Sequence, residues 1–320
     1  MSKNELQTQV RMVEIGAGNE GQRIDNFLLG QLKGIPRSLI YRLLRTGQVR
    51  VNKGRSKPHY KLKAGDLVRI PPVRLSESPA PVSPRAADLE HLSKQILYED
   101  KSLIIINKPS GMAVHGGSGL SYGVIEAFRI MRPKEKFLEL VHRLDRETSG
   151  CLVLARKRSA LVRLHEMLRR ERGEKMNKTY QALVKDIWTG PKQRVNQPLL
   201  RNVRKSGERV VQVSEEGKAA ASVFVPLKNF PSASAALVEV RLLTGRTHQA
   251  RVHAACIDHP IAGDDKYGNR DFNKRMRKAG LNRLFLHASR LRFKHPLEDR
   301  LIDIEAPLPE ELGSLLEKIS

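Results

Sequence analysis

At 320 residues and 40% hydrophobic content, the chain is long enough for one large or two modest packed domains. Its formal net charge of +24 attracts polyanions, the alternatives being an anionic membrane surface or an acidic protein. No apolar run approaches the roughly 18 residues of a membrane span, residues 1–16 lack the apolar core of a signal peptide, and two isolated cysteines, Cys151 and Cys256, suit a reducing cytoplasm. Aromatic residues make up only 5%, so any stacking on nucleic-acid bases falls to one or two individual rings rather than a platform.

Residues 1–20 read as a polar, flexible lead. From Gly21 the pattern becomes compact. Ile24, Phe27, Leu28 and Leu32 recur at helical spacing. Pro36 suits the first turn of a second helix, and Gly47 its end. That helix has Leu39, Ile40, Leu43 and Leu44 on one face and Arg37, Arg42 and Arg45 on the other. Residues 48–52, containing Arg50, alternate as a strand and lead into the basic turn Lys53-Gly54-Arg55. A turn at 64–66 precedes a strand at 67–70. Between 21 and 70, twelve lysines and arginines face only Asp25 and Asp66, an excess beyond an ordinary solvated face.

Two runs in this segment, Arg-Ile-Asp-x-Phe-Leu from Arg23 and Ser-x-x-x-x-Leu-Leu-x-x-Gly-x-Val-x-Val-Asn from Ser38, resemble the S4 RNA-binding domain. The resemblance implies a small α/β RNA-binding domain over 21–72. Arg37, Arg42, Arg45, Arg50, Lys53 and Arg55 are its candidate RNA contacts. Arginine suits bidentate phosphate binding, which positions a protein on RNA without reading sequence.

Five prolines lie between Pro71 and Pro84, and 73–95 reads as an extended, semi-rigid linker. Residues 96–320 then read as one mixed domain. Strands are expected at 103–106, 151–155, 180–184, 210–213, 222–225, 236–242 and 291–293. Helices are expected at 122–131, at 159–170 with Leu161, Leu164 and Leu168 buried, and from Pro309 onward. Strands in runs, without regular alternation with helices, give an α+β fold with a mixed, mostly antiparallel sheet.

The run Val141-His142-Arg143-Leu144-Asp145-Arg146-Glu147-Thr148-Ser149-Gly150 carries the chemistry. Arginines flanking Asp145 favour its ionised form, as a nucleophile or base at neutral pH requires. Thr, Ser and Gly suit a tight turn, and 151–155 reads as a buried strand. Taken alone, an Arg-x-Asp-Arg run is an ordinary structural ion pair.

The longer run His-Arg-Leu-Asp-x-x-Thr-Ser-Gly resembles the catalytic motif of the RluA family of RNA pseudouridine synthases. Lys108-Pro109-Ser110-Gly111-Met112-Ala113-Val114-His115 and Gly245-Arg246-Thr247-His248-Gln249 resemble that family's upstream and downstream elements, with Ala250 where isoleucine is commoner. The resemblance spans roughly 96–310. It implies a pseudouridine synthase core that isomerises uridine in RNA, with Asp145 as catalytic carboxylate. It also implies that Arg143 enters the RNA stack in place of the flipped uridine, that Arg246 pairs with Asp145, and that Tyr180, in Lys178-Thr179-Tyr180, packs on the target base. Residues 115–126 resemble the branch of the family acting on 23S ribosomal RNA.

Moving uracil from a nitrogen to a carbon link requires breaking the glycosidic bond, turning the ring and attack by C5 on the sugar. Asp145 can attack the sugar, attack the ring or take a sugar proton, and the sequence leaves all three open. His142 is given no proton-transfer role. Asn107, Lys108 and His115 shape the site wall or meet a phosphate. No metal site is expected: His248 and His253, five apart, do not share a helix or strand face, and no cysteine–histidine cluster exists. Lys108-Pro109-Ser110-Gly111 lacks the spacing of a phosphate loop, so no cofactor is expected. The expected partner is 23S ribosomal RNA, met by a monomer before or during large-subunit assembly. The rivals are the same isomerase on transfer RNA or another ribosomal site, and a noncatalytic RNA-binding protein, which leaves 142–150 and 244–253 unexplained. A glycosidase generally needs paired carboxylates, and Asp145 has no evident partner.

Overall fold

A computed structural model describes residues 10–32, 35, 37–73, 84–116, 122–169, 176–203 and 209–320; the side chains of residues 37, 38, 202, 203 and 209 lie outside that description. The chain divides into two compact units, Met1–Pro81 and Val82–Ser320.

In the small unit, strand β1 (Arg11–Glu14) precedes helices α1 (Ile24–Gln31) and α2 (Arg37–Arg45). Strands β2 (Arg50–Val51), β3 (Gly54–Arg55) and β4 (Leu67–Ile70) follow. The sheet order is β1-β4-β2-β3. Ile24, Phe27 and Leu28 of α1 pack with Ile40, Leu43 and Leu44 of α2 over Val49, Val68 and Ile70, as the helical spacing predicts. Gly47, at φ +70°, ends α2 in the left-handed conformation that glycine tolerates. One expectation changes: within 1–20, the described part is not a free lead, because Arg11–Glu14 pairs antiparallel with β4 and Ile15 is buried.

The large unit opens with helix α3 (Ala86–Ser93), inside the segment read as linker, then strands β5 (Ile96–Glu99) and β6 (Leu103–Lys108). Leu92 anchors α3 in the core; residues 74–83 lie outside the described part. Next come α4 (Val124–Met131), β7 (Glu139–Leu140), β8 (Ser149–Ala155), α5 (Arg158–Arg169) and β9 (Asn177–Lys185). Strands β10 (Gln193–Asn196), β11 (Leu199–Val203), β12 (Arg209–Val213), β13 (Ala221–Phe230) and β14 (Ala235–Leu242) follow. Two helices absent from the sequence reading, α6 (Gln249–Cys256) and α7 (Arg270–Lys278), precede β15 (Leu286–Lys294), β16 (Leu301–Glu305) and α8 (Glu310–Lys318).

The main sheet runs β10-β13-β14-β9-β15-β8-β6-β5, with β16 on β15 and β7 on β8. Its pairings are antiparallel except β15 with β8. This matches the expected mixed, mostly antiparallel α+β sheet. The apolar runs of β6 and β8 are explained by burial on both faces. Alternate residues Leu103, Ile105, Cys151 and Val153 meet Leu164 and Met167 of α5. Ile104, Ile106, Leu152 and Leu154 meet Val124 and Phe128 of α4. The same second layer contains Tyr180 and Ala250, so one hydrophobic layer positions residues from β9, α6 and the loop before β8.

Candidate active site

The loop before β8 is pinned by its apolar members. Val141 and Leu144 are buried, while Arg143 is exposed and Asp145 partly exposed. Val153 donates its N–H to His142 Nε2 at 3.3 Å. Burial, helped by the charge of Lys178, pushes His142 down to about 3, so its ring is a neutral acceptor. Thr148 N–H closes the turn on Asp145 O at 3.1 Å. Gly150 follows at φ +108°. A Cβ there would lie 2.3 Å from Ala288 O, so only glycine lets β8 pass this close to β15.

The back of the loop is fastened through its carbonyls. Lys108, fully buried, donates to Pro109 O and Met112 O at 2.8 Å and to Arg146 O at 3.1 Å. Burial, then the nearby charge of Arg283, pushes its ammonium down to about 7. Ser110 donates to Glu147 O at 2.7 Å. Arg283 Nη2 reaches Ser149 Oγ at 2.6 Å. Ser149 in turn meets His287 Nδ1 at 2.9 Å, and His287 Nε2 meets Ala306 O at 3.1 Å. A carbonyl only accepts, so Nε2 carries the imidazole proton and Nδ1 accepts from Ser149. The Lys-Pro-Ser-Gly motif therefore serves the loop from behind, its lysine meeting carbonyls rather than the pocket.

Asp145 opens into a cavity of about 550 Å³ lined by Arg143, Lys178, Tyr180, Arg246, His248 and Arg251, among others. The sequence-expected site residues Asp145, Arg143, Tyr180 and Arg246 thus come together. Their pairings differ from expectation. Arg146 bonds Glu147, and the Arg143 guanidinium makes no hydrogen bond or ion pair with any described residue. Arg246 does not pair with Asp145: its Nε donates to Ala219 O at 3.0 Å. The partner is Arg251, whose Nη1 lies 3.4 Å from Asp145 Oδ2.

The difference is local geometry. Arg246 precedes α6, in a turn clamped by the buried Gln249 side chain. Gln249 Oε1 accepts from Thr244 Oγ1 and Arg246 N, while its Nε2 donates to Ala221 O and Ser222 Oγ. Arg251 lies within α6, three residues after His248 and on the same face. Arg251 Nε and Nη2 each lie 2.7 Å from an oxygen of the buried Asp264. Burial opposes the charge on Asp264, but the Arg251 hydrogen bonds hold it below the usual carboxylate range. His248 Nε2 stands 3.7 Å from Asp145 Oδ2 and its Nδ1 2.8 Å from Tyr267 Oη. Burial lowers its pKa although Asp145 pulls the other way. Sequence reasoning missed Arg251, Asp264, His248 and Tyr267; the i,i+3 spacing of His248 and Arg251 was the available signal.

Tyr180 projects from β9, buried apart from its cavity face, and burial raises its phenol pKa. In the small unit Arg42, Arg45, Arg50, Lys53 and Arg55 are exposed, and none makes an ion pair with a described acid. Asp25 is engaged by Arg23, and Asp66 accepts from Asn52, Tyr60 and Lys63 N–H. Arg37 begins α2, but its side chain lies outside the description, as do residues 117–121 of the 115–126 segment. Among the described residues, one group with metal-ligand geometry occurs, Asp100–His295–Glu298. It lies away from the cavity, with Arg300 Nη2 2.8 Å from Asp100. No described helix is long and apolar enough to cross a membrane.

Residues 102–256 match the RNA pseudouridylate synthase family and residues 22–68 the S4 domain. The chain belongs to the RNA pseudouridylate synthase family, isomerases acting on RNA. It is 55% identical over 313 residues to ribosomal large subunit pseudouridine synthase C of Escherichia coli (strain K12), covering 97% of each chain. To the Pasteurella multocida (strain Pm70) protein of the same name it is 54% identical, covering 96% of this chain and 93% of that one. Among solved structures, human RNA pseudouridylate synthase domain containing 4 superposes with a TM-score of 0.58 at 28% identity. That match covers 72% of this chain and 95% of the human one.

Proposed function

We propose that this chain isomerises specific uridines of 23S ribosomal RNA to pseudouridine, with Asp145 as the catalytic carboxylate. The observation that carries the assignment is the position of Asp145: at the cavity, its turn fastened from behind by Lys108 and Ser110, one oxygen facing Arg251. An isomerisation that breaks and remakes a bond to the same ribose needs a fixed carboxylate and a pocket that holds the detached base. Tyr180 supplies the packing surface for uracil. Arg143, exposed and without a partner among the described residues, enters the stack left by the flipped nucleotide, offsetting part of a cost of a few kcal/mol. Arg246 lines the cavity rather than balancing Asp145. Arg37, Arg42, Arg45, Arg50, Lys53 and Arg55 grip phosphates and position the enzyme on RNA. The 54–55% identity to proteins named for the ribosomal large subunit supports the choice of substrate. The chain works as a monomer in the cytoplasm, without a cofactor.

The test is pseudouridine mapping of ribosomal and transfer RNA from cells lacking this protein, then regaining it as wild type or as Asp145→Asn. Loss of defined 23S sites, restored only by the wild type, is expected. Loss confined to transfer RNA overturns the substrate, and restoration by Asp145→Asn overturns the role of Asp145.

A further inference from the structure

Lys178 and Tyr180 are two apart in β9, so their side chains leave the same face, roughly 6–7 Å apart along the strand. Tyr180 faces the base in the reading above. Lys178 lines the same cavity, and its ammonium makes no hydrogen bond or ion pair with any described residue. Burial, then the like charge of Arg246, pushes it down to about 8. The turn at 244–247 lies directly against it: a Cβ on Gly245 would stand 3.0 Å from Lys178 Nζ. Arg246, next in that turn, also lines the cavity; its Nε donates to Ala219 O, and its guanidinium makes no ion pair with any described acid.

Among the described residues, these two cations share one wall with no carboxylate paired to either. The described acids at or beside this cavity, Asp145 and Asp264, both face Arg251. Like charges held together and partly out of water are unfavourable unless a ligand supplies the opposite charge. A point-like ammonium beside a planar guanidinium suits a phosphate oxygen pair.

We propose that Lys178 and Arg246 form an anion subsite for one backbone phosphate next to the flipped uridine. The subsite rests on the isomerase reading above and adds to it a group that fixes the ribose relative to Asp145. It also accounts for Arg246 lining the cavity without pairing to the carboxylate.

The test uses the full chain and a ribosomal RNA fragment containing a uridine identified by mapping. In a series of fragments, one phosphate at a time near that uridine is replaced by an uncharged methylphosphonate. Single-turnover pseudouridine formation gives the half-saturating enzyme concentration for wild type, Lys178→Met, Lys178→Arg and Arg246→Met. On the fully charged RNA, each methionine variant is expected to raise that concentration about tenfold or more, the loss of a hydrogen bond to a charged group. At one linkage flanking the uridine, neutralisation should cost the wild type a similar factor and the methionine variants nothing further. Lys178→Arg should keep most of the linkage-specific effect. If the variants lose the same factor on every fragment, no particular phosphate is bound and the subsite is overturned; the exposed Arg246 gives this reading even if Lys178→Met folds poorly. No pseudouridine from the wild type on the charged fragment would overturn the isomerase reading and the subsite with it.

Discussion

Nη1 of Arg251 lies 3.4 Å from Oδ2 of Asp145, while its Nε and Nη2 hold Asp264 at 2.7 Å. One guanidinium therefore spans two carboxylates, one buried and structural, the other at the cavity. Arg251→Met should slow single-turnover isomerisation by about a hundredfold, the scale of losing orientation at a reacting group. It should also destabilise the fold by roughly 3–5 kcal/mol, because Asp264 is left buried and unpaired. Adding Asp264→Asn, which removes the charge but keeps an acceptor for the N–H groups of Lys266 and Tyr267, should recover much of the stability, read by urea unfolding, without recovering the rate. Recovery of both would mean that Arg251 serves only the fold.

Arg246→Ala should behave differently from Arg251→Met. Its guanidinium meets Ala219 O and the cavity, not Asp145. The expected result is weaker RNA saturation, with the maximal single-turnover rate reduced far less than in Arg251→Met. A maximal rate as low as that of Arg251→Met would restore Arg246 as the group acting on the carboxylate.

Lys108 gives stability a pH dependence of defined sign. Its amine is pushed down to about 7 in the folded chain, against 10.5 ordinarily. Between those values the unfolded chain binds the extra proton, so this group makes stability rise with pH from about 7 to about 10. Below 7 its penalty is constant. Lys108→Met should remove that slope, while loosening the loop whose carbonyls it holds. Urea unfolding at pH 7 and pH 9.5 measures the difference; parallel behaviour of variant and wild type would contradict the assignment.

Tyr180 separates packing from hydroxyl chemistry. Its hydroxyl makes no hydrogen bond with a described residue, so Tyr180→Phe should keep the single-turnover rate within a few-fold. Tyr180→Leu should lose about tenfold or more, since stacking on a base is worth about 1–3 kcal/mol. Equal losses in both variants would assign a role to the hydroxyl.

The basic face of α2 is tested by Arg42→Glu with Arg45→Glu. Both side chains are exposed and point away from the buried Leu43 and Leu44. The log–log salt slope of RNA binding should flatten by more than about one unit, the scale for two phosphate contacts. An unchanged slope would show that this face turns away from RNA.

Much of this was legible in local pattern. The apolar runs at 103–106 and 151–155 announced buried strands, and Pro36 and Gly47 bracketed α2. Helix α7 was missed because it buries only Phe272, Asn273 and Met276 under a basic sequence, although Asn269 caps it by accepting from Phe272 N–H. β1 was missed because its support is non-local, a pairing with residues more than fifty positions away. Asp145 was readable as the candidate carboxylate from its run of neighbours, but its partner was not. Arg246 and Arg251 stand in one motif, and only the start of α6 at Gln249 decides which of them turns toward Asp145.

The proposed role of the Asp145 carboxylate is to perform the isomerisation. The most direct measurement is single-turnover pseudouridine formation by Asp145→Asn on a mapped 23S fragment, at enzyme concentrations shown by binding to saturate the RNA. Binding within several-fold of wild type and no detectable pseudouridine are expected. Product formation at the wild-type rate would contradict that role.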